Sequence, residues 1–240
     1  MANIFEISLH GMQNDIAQVQ NSANNLANIS TPGFKRQAQA TTPFFDVVNQ
    51  LQYNEGVAGA GGDERRVDLA AGALRVTSQP LHVALTGPGF FEIQTTAGPR
   101  YTRNGEFHLD AAGRLVTPAG DSVMGQDGPV TLTSASPVID SDGRITESGR
   151  QVNQLRVIAP QSADQIVAEG QGLYAFTEPG QAVAQAETHV RQGALETSNV
   201  DSGHEMVQLM QIMQHAQTMQ KLSLNYDEMM NTALRKLGEL

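Results

Sequence analysis

The sequence predicts an α+β protein. Its N- and C-terminal helices are expected to form a coiled-coil-like layer, with a central antiparallel all-β domain between them. Three observations predict this. Apolar residues recur every four and three positions from Phe5 to Leu26, and again from Leu209 to Leu240. Between those stretches the period shortens to two and turn signals crowd together. Both helical stretches also carry an amide-rich, nearly uncharged polar face.

In the first helix Phe5, Leu9, Met12, Ile16, Val19, Ala23 and Leu26 fall on one stripe, the a/d seam of a coiled coil. Thr31-Pro32-Gly33 is expected to stop it. The residue before a proline is pushed out of the α region, and Gly33 takes the corner at positive φ. Between Met1 and Phe34 only Glu6 and Asp15 carry a full charge. A helix bathed in water normally has a charged outer face, so this one is read as touched on more than one side. Gln18 and Asn25 lie off the seam and would face water in a simple two-helix hairpin.

Residues 35–75 read as an extended linker with weak strands, holding Pro43-Phe44-Phe45, the glycine-rich run from Gly56 to Gly62, and Asp63-Glu64-Arg65-Arg66. From Leu74 the grammar is that of strands. Leu81, Val83 and Leu85 alternate, and Phe90-Phe91-Glu92-Ile93 follows a Gly87-Pro88-Gly89 break. Tyr101 to Leu109 reads as a hairpin, because Asn104-Gly105 supplies the two positive-φ positions of a type I′ turn. Asp110-Ala111-Ala112-Gly113-Arg114-Leu115 is echoed by Asp140-Ser141-Asp142-Gly143-Arg144-Ile145, each a turn opened by Asp with a left-handed Gly. Further strands are expected at 123–132, 152–159 and 172–177, which makes 76–190 a small antiparallel β domain. An irregular connection from Gln181 to Val200 leads to the last helix.

That helix carries Leu209, Ile212, Ala216, Met219, Tyr226, Met230, Ala233, Leu237 and Leu240 in the same alternation, interrupted by Ser223. Ser202 and Glu205 fit a capping box at its start. Gln208, Gln211, Gln214, Gln217 and Gln220 make its outside polar without charge. The expected segments are therefore 1–34, 35–75, 76–190 and 191–240, the last packing with the first.

Composition narrows the partners. A formal net charge of −10 argues against nucleic acid and anionic membrane surfaces. The absence of cysteine removes disulfides, thiolate nucleophiles and zinc–thiolate sites. No apolar run approaches the roughly 18 residues that span a bilayer. No Lys or Arg precedes Lys35, so the start lacks the basic region of an ordinary secretory signal and is expected to be retained. Asp140-Ser141-Asp142-Gly143 places its glycine wrongly for a calcium loop. His204-Glu205 has Gln208 where a zinc-protease helix needs its second histidine. No nucleophile elbow or dinucleotide fingerprint is present. No catalytic residue, cofactor or metal is predicted.

Several motifs in order along the chain carry a resemblance. Asn24-Asn25-Leu26-Ala27-Asn28-Ile29-Ser30-Thr31-Pro32-Gly33-Phe34-Lys35-Arg36 resembles the N-terminal signature of axial proteins of the bacterial flagellum. Gly87-Pro88-Gly89-Phe90-Phe91, Tyr101 to Phe107 and Gly113-Arg114-Leu115-Val116 resemble the core of the rod and hook branch. Gly193 to Val200, followed by Glu205-Met206-Val207, is similar to the entry into the family's last helix. The likeness spans the chain and is nearest to the proximal rod, with the distal rod or hook-basal body as the alternative. Where relatives carry an Arg-x-aromatic-Glu run in the last helix, this chain has Gln214-His215-Ala216-Gln217, so an ion pair made there elsewhere does not carry over.

The resemblance implies a structural, non-enzymatic proximal-rod subunit that transmits torque. It implies a place in the flagellar basal body, in the periplasm, reached without a cleaved signal peptide. Partners would be other rod subunits, copies of itself and, in transit, the type III export apparatus. The assembly interface is expected at Phe5, Leu9, Met12, Ile16, Val19, Asn24, Asn25, Leu26, Asn28, Thr31, Gly33 and Phe34. On the last helix it is expected at Leu209, Ile212, Ala216, Met219, Tyr226, Met230 and Leu237. Two other classes stay open. A secreted adhesin or carbohydrate-binding module would use the β domain, although the chain has no Trp. A cell-wall glycosidase would need two facing carboxylates, for which Glu92, Glu106, Asp110 and Asp121 are the candidates.

Overall fold

A computed structural model describes residues 3–39, 65–178, 180–182 and 188–238. Most of the expected linker, including Pro43-Phe44-Phe45 and the glycine-rich run, lies outside the described residues, as does Leu240. The chain divides into two compact units, one of Met1–Ala27 with Asp201–Leu240 and one of Asn28–Val200.

The larger unit is antiparallel β. Its main sheet runs in the order Ile166–Gly170, Leu173–Phe176, Gly98–Thr102, Phe90–Thr95, Ser122–Gly125, Leu115–Val116, His108–Leu109. Successive side chains of a strand point to opposite faces, and Phe90–Thr95 is covered on both. Phe91 and Ile93 join Val83, Leu85, Phe107, Leu115, Val123 and Val130 in the main core. Phe90 joins Val67, Ile166 and Tyr174 in a second cluster. The rings of Phe91 and Phe107 meet edge-on at 5.2 Å, and those of Phe90 and Tyr174 lie 5.2 Å apart. Two-sided burial explains why this strand opens with paired phenylalanines rather than an apolar–polar alternation.

The two Asp-to-Arg echoes are the turns expected. Gly113 and Gly143 have φ of 77° and 76°. Asp110 Oδ1 accepts the amides of Ala112 and Arg114 at 2.9 and 2.8 Å, and Asp140 Oδ1 those of Asp142 and Arg144 at 3.0 and 2.9 Å. The Arg114 amide, with the Arg114 side chain behind it, holds the Asp110 carboxyl below the ordinary carboxylate range.

Asn104-Gly105 differs from the reading as a hairpin. The strand ending at Thr102 pairs with Phe90–Thr95 and Leu173–Phe176, whereas His108–Leu109 pairs with Leu115–Val116, so the segment does not fold back on itself. Gly105 is needed because the Val83 carbonyl presses on its Cα, where a Cβ would overlap it. The Gly105 carbonyl accepts the amides of Val83 and Phe107, each at 3.0 Å. The stretch expected as an irregular connection also holds strands. His189–Gln192 pairs with Val83–Thr86, and Ala194–Glu196 with Leu74–Val76.

In the smaller unit, helix α1 spans Asn3–Ala27 and helix α2 spans Ser202–Gly238, the α-helices among the described residues. The expectation of a coiled-coil-like layer is overturned here. The helices are antiparallel neighbours: Asn25 Nδ2 donates to Glu205 Oε1 at 3.4 Å, Asp15 reaches His215 Nδ1 at 2.8 Å, and Gly11 lies beside Met219. The face of α1 that turns inward is polar. Asp15, Ser22 and Asn25 are buried while Ile16 is 56 % exposed. A coiled-coil seam needs apolar a and d residues between its helices, whereas among the described side chains of α1 the fully buried ones are polar and Met12, Val19 and Leu26 are only half-buried. Asn25 is 1 % exposed, so it does not face water as a simple hairpin would have it.

The start of α2 also differs. Asp201, not Ser202, is the cap: its Oδ1 accepts the amides of Gly203 and His204 at 2.8 and 3.2 Å. The fully buried side chain of Glu205 turns toward Asn25.

Candidate functional site

In the larger unit the chain's motifs converge on one buried cluster of charge. Lys35 Nζ sits 2.7 Å from Glu196 Oε1 and 2.7 Å from the Ala70 carbonyl. Arg103 reaches Glu196 Oε2 at 3.3 Å and the Gly87 carbonyl at 2.6 Å, with its guanidinium 5.3 Å above the Phe90 ring. Lys35, Glu196 and Arg103 are 1, 2 and 5 % exposed. Burial pulls both cations below their ordinary pKa, opposed by Glu196 beside them. The Tyr174 hydroxyl accepts the Lys35 amide at 3.0 Å, and burial pushes its phenol up to about 12.

The backbone around the cluster is tied in as well. The Gly33 amide donates to the Glu196 carbonyl at 2.8 Å, and the Arg36 amide to Asn199 Oδ1 at 2.7 Å. Gly33 has φ 68°, as expected of the corner, and its Cα lies against the backbone of Arg103 and Asn104. Thr31 closes the preceding turn on Asn28, amide to carbonyl at 3.1 Å and hydroxyl to side chain at 3.3 Å. Phe34 is 3 % exposed. Sequence reasoning singled out none of Lys35, Arg103, Tyr174 and Glu196. The first, second and last sit inside motifs that were read, and Lys35 is the first cation in the chain. Their meeting across more than ninety residues leaves no local signal.

The helices present the other group of candidates. On α1, Met12, Val19 and Leu26 are half-buried, Ile16 and Asn24 exposed and Asn25 buried. On α2, Ile212 is buried at 5 % exposed, and Leu209, Ala216, Met219 and Tyr226 are half-buried. The side chains of Phe5, Leu9, Met230 and Leu237 lie outside the described residues. Met206, Val207, Met210 and Met213 are each half or more exposed on α2. No helix among the described residues is long and apolar enough to cross a membrane.

The helices thus leave Ile16, Met206, Val207, Met210 and Met213 half or more exposed, while the β unit closes over a buried ion cluster. Comparison with known proteins identifies the class of protein. A family model described as the flagellar hook protein FlgE/F/G D1 domain matches residues 84–175, and one described as the flagellar basal body rod FlgEFG protein C-terminal region matches residues 191–236. The chain is 30% identical to the flagellar basal-body rod protein FlgF of Rhizobium meliloti over 90% of each chain. It is 28% identical to FlgF of Caulobacter vibrioides over 91% of each. It is 28% identical to the basal-body rod protein FlgG of Bacillus subtilis, over 92% of this chain and 94% of that one. The chain belongs to the family of flagellar basal-body rod proteins and is FlgF-like, a structural rod subunit and not an enzyme.

Proposed function

We propose that the chain is a proximal-rod subunit that assembles through the outward apolar faces of α1 and α2, with copies of itself and neighbouring rod proteins, to carry torque across the periplasm. The observation behind this is the inversion of α1. A polar stripe that includes Asp15 and Asn25 is turned toward α2, and Ile16 is left 56 % exposed. Burying one such side chain is worth about 1.5–3 kcal/mol, and the gain recurs at every subunit. Helices packed at interior density resist shear, which suits a shaft. On the same reading, Met12, Val19 and Leu26 with Leu209, Met219 and Tyr226 complete the contact, Phe5, Leu9, Met230 and Leu237 extend it, and the subunit travels through the type III export apparatus.

The test is Ile16→Glu with Met213→Glu, both at exposed positions. The purified variant should keep the melting transition of its β unit. In cells lacking the native copy it should build no rods and give no swimming. Intact basal bodies and wild-type swimming would refute the assignment of the interface. A distal-rod role is the second reading, supported by FlgG relatives at similar identity. Complementation of proximal- and distal-rod deletions, side by side, separates the two.

A further inference from the structure

Two segments lead out of the β unit, residues 33–36 after α1 and residues 194–199 before α2. Many of their described polar contacts are with each other and with residues 68–73, and Ala194–Glu196 also pairs with Leu74–Val76. The Gly33 amide donates to the Glu196 carbonyl, the Asn199 amide to the Phe34 carbonyl at 3.4 Å, and the Thr197 amide to Ala73 at 2.8 Å. Asn199 Nδ2 donates to the carbonyls of Asp68 and Ala70, both at 3.0 Å. At the centre, Glu196 Oε1 accepts from both Lys35 Nζ and the Gly72 amide, and Oε2 from Arg103. Among the described residues Glu196 is the anion in ion-pair contact with either buried cation.

We propose that Glu196 is a latch that fastens these two segments to one another, so that neither leaves the β unit without the other. The reason is electrostatic. If 194–199 lifted away alone, Lys35 and Arg103 would stay buried without their ion-pair partner. If 33–36 lifted away alone, Glu196 would lose one of its two cations and the segment would lose its amide contacts. Removing one partner of a buried pair is strongly unfavourable because the remaining charge is left in low dielectric. Either departure therefore favours the other, and such coupling is reciprocal by thermodynamic necessity. The β unit behind the latch has its own core, with Leu115, Val130 and Leu132 held by amides donating to Val130, Val123 and Gly113 at 2.8, 3.0 and 2.7 Å.

The test is amide hydrogen exchange on the full chain in two variants, each read at the far segment. Glu196→Gln keeps the side chain's shape and removes its charge. Lys35→Met keeps the stem and removes the cation. Two amides make clean reporters, because their acceptors, Tyr174 and Ala73, belong to neither segment: the amide at position 35 and that of Thr197. Glu196→Gln should lower protection at position 35 at least tenfold, and Lys35→Met should do the same at Thr197. The amides of Leu115, Val130 and Leu132 should be unchanged. A variant that loosens only its own segment overturns the latch. If Glu196→Gln also takes the core amides with it, Lys35→Met decides alone: Thr197 loosened over an intact core sustains the proposal. Thr197 unchanged, or the core lost there too, overturns it.

Discussion

Gly33 offers the sharpest quantitative test, because two independent constraints meet at one residue. Its φ of 68° lies in the left-handed region, and a Cβ there would come closer than 3.0 Å to the backbone of Arg103 and Asn104, a separation real Cβ atoms essentially never show. For Gly33→Ala the left-handed conformation costs ~1–2 kcal/mol. The overlap is with main chain, which cannot swing aside as a side chain can, so the neighbours must shift at a further cost of about 1–3 kcal/mol. Any shift that stretches the 2.8 Å bond from the Gly33 amide to the Glu196 carbonyl adds ~0.5–1.5 kcal/mol. The sum, about 2.5–6.5 kcal/mol, is a large share of the ~5–15 kcal/mol that typically holds a domain. Chemical denaturation of the purified chain, followed by tyrosine signals, measures it. Gly33→Val should cost about as much as Gly33→Ala or slightly more, since the first carbon makes the clash. An alanine variant within about 0.5 kcal/mol of wild type would refute the reasoning, and a loss that appeared only with valine would place the constraint in bulk rather than backbone.

Tyr174→Phe removes the acceptor of the Lys35 amide and should cost ~1–3 kcal/mol near neutrality. The folded state holds the Tyr174 phenol neutral, with its pKa pushed up to about 12, so the unfolded chain gives up that proton first. Wild type should therefore lose its advantage over Tyr174→Phe as pH rises from about 10 to 12, and a gap that stays constant over that range contradicts this. Gly105→Ala puts a methyl group on the Val83 carbonyl and should destabilise the β unit by about 1–3 kcal/mol, read as a lowered melting transition, although φ there is not in the left-handed region. Asn25→Asp sets a carboxylate against the buried Glu205 carboxylate and should weaken the α1–α2 pairing, seen as loss of helical circular dichroism that the exposed Gln20→Glu does not produce.

What the sequence made legible was what short-range geometry decides. The terminal helices follow from a period that only a helix satisfies. The Asp110 and Asp140 turns follow from a carboxylate that can reach the amides two and four residues on, and Gly33 from a proline-bounded corner. Asn104-Gly105 suits a type I′ turn by its letters, while the pressure that selects glycine comes from Val83, some twenty residues away. Lys35 and Glu196 stayed hidden for the same reason. A charged side chain looks solvated until the segment that buries it is known, and here the two lie 161 residues apart in sequence.

The inversion of α1 has a different cause. Gly11, Asp15, Gln18, Ser22 and Asn25 step by four, three, four and three, as do Met12, Ile16, Val19, Ala23 and Leu26. Periodicity says which residues share a face. It does not say which face meets the partner in the same chain, and two stripes of equal period leave the apolar one suited either to the other helix or to neighbouring copies. Asp15 with His215 and Asn25 with Glu205 are directional contacts that admit one antiparallel register, whereas an apolar pair could slide by a turn at little cost. A helix pair whose register is set by polar contacts leaves its apolar stripe available. Ile16, 56 % exposed, still has a good part of the ~1.5–3 kcal/mol of full burial to gain, and half-buried Met12, Val19 and Leu26 have less.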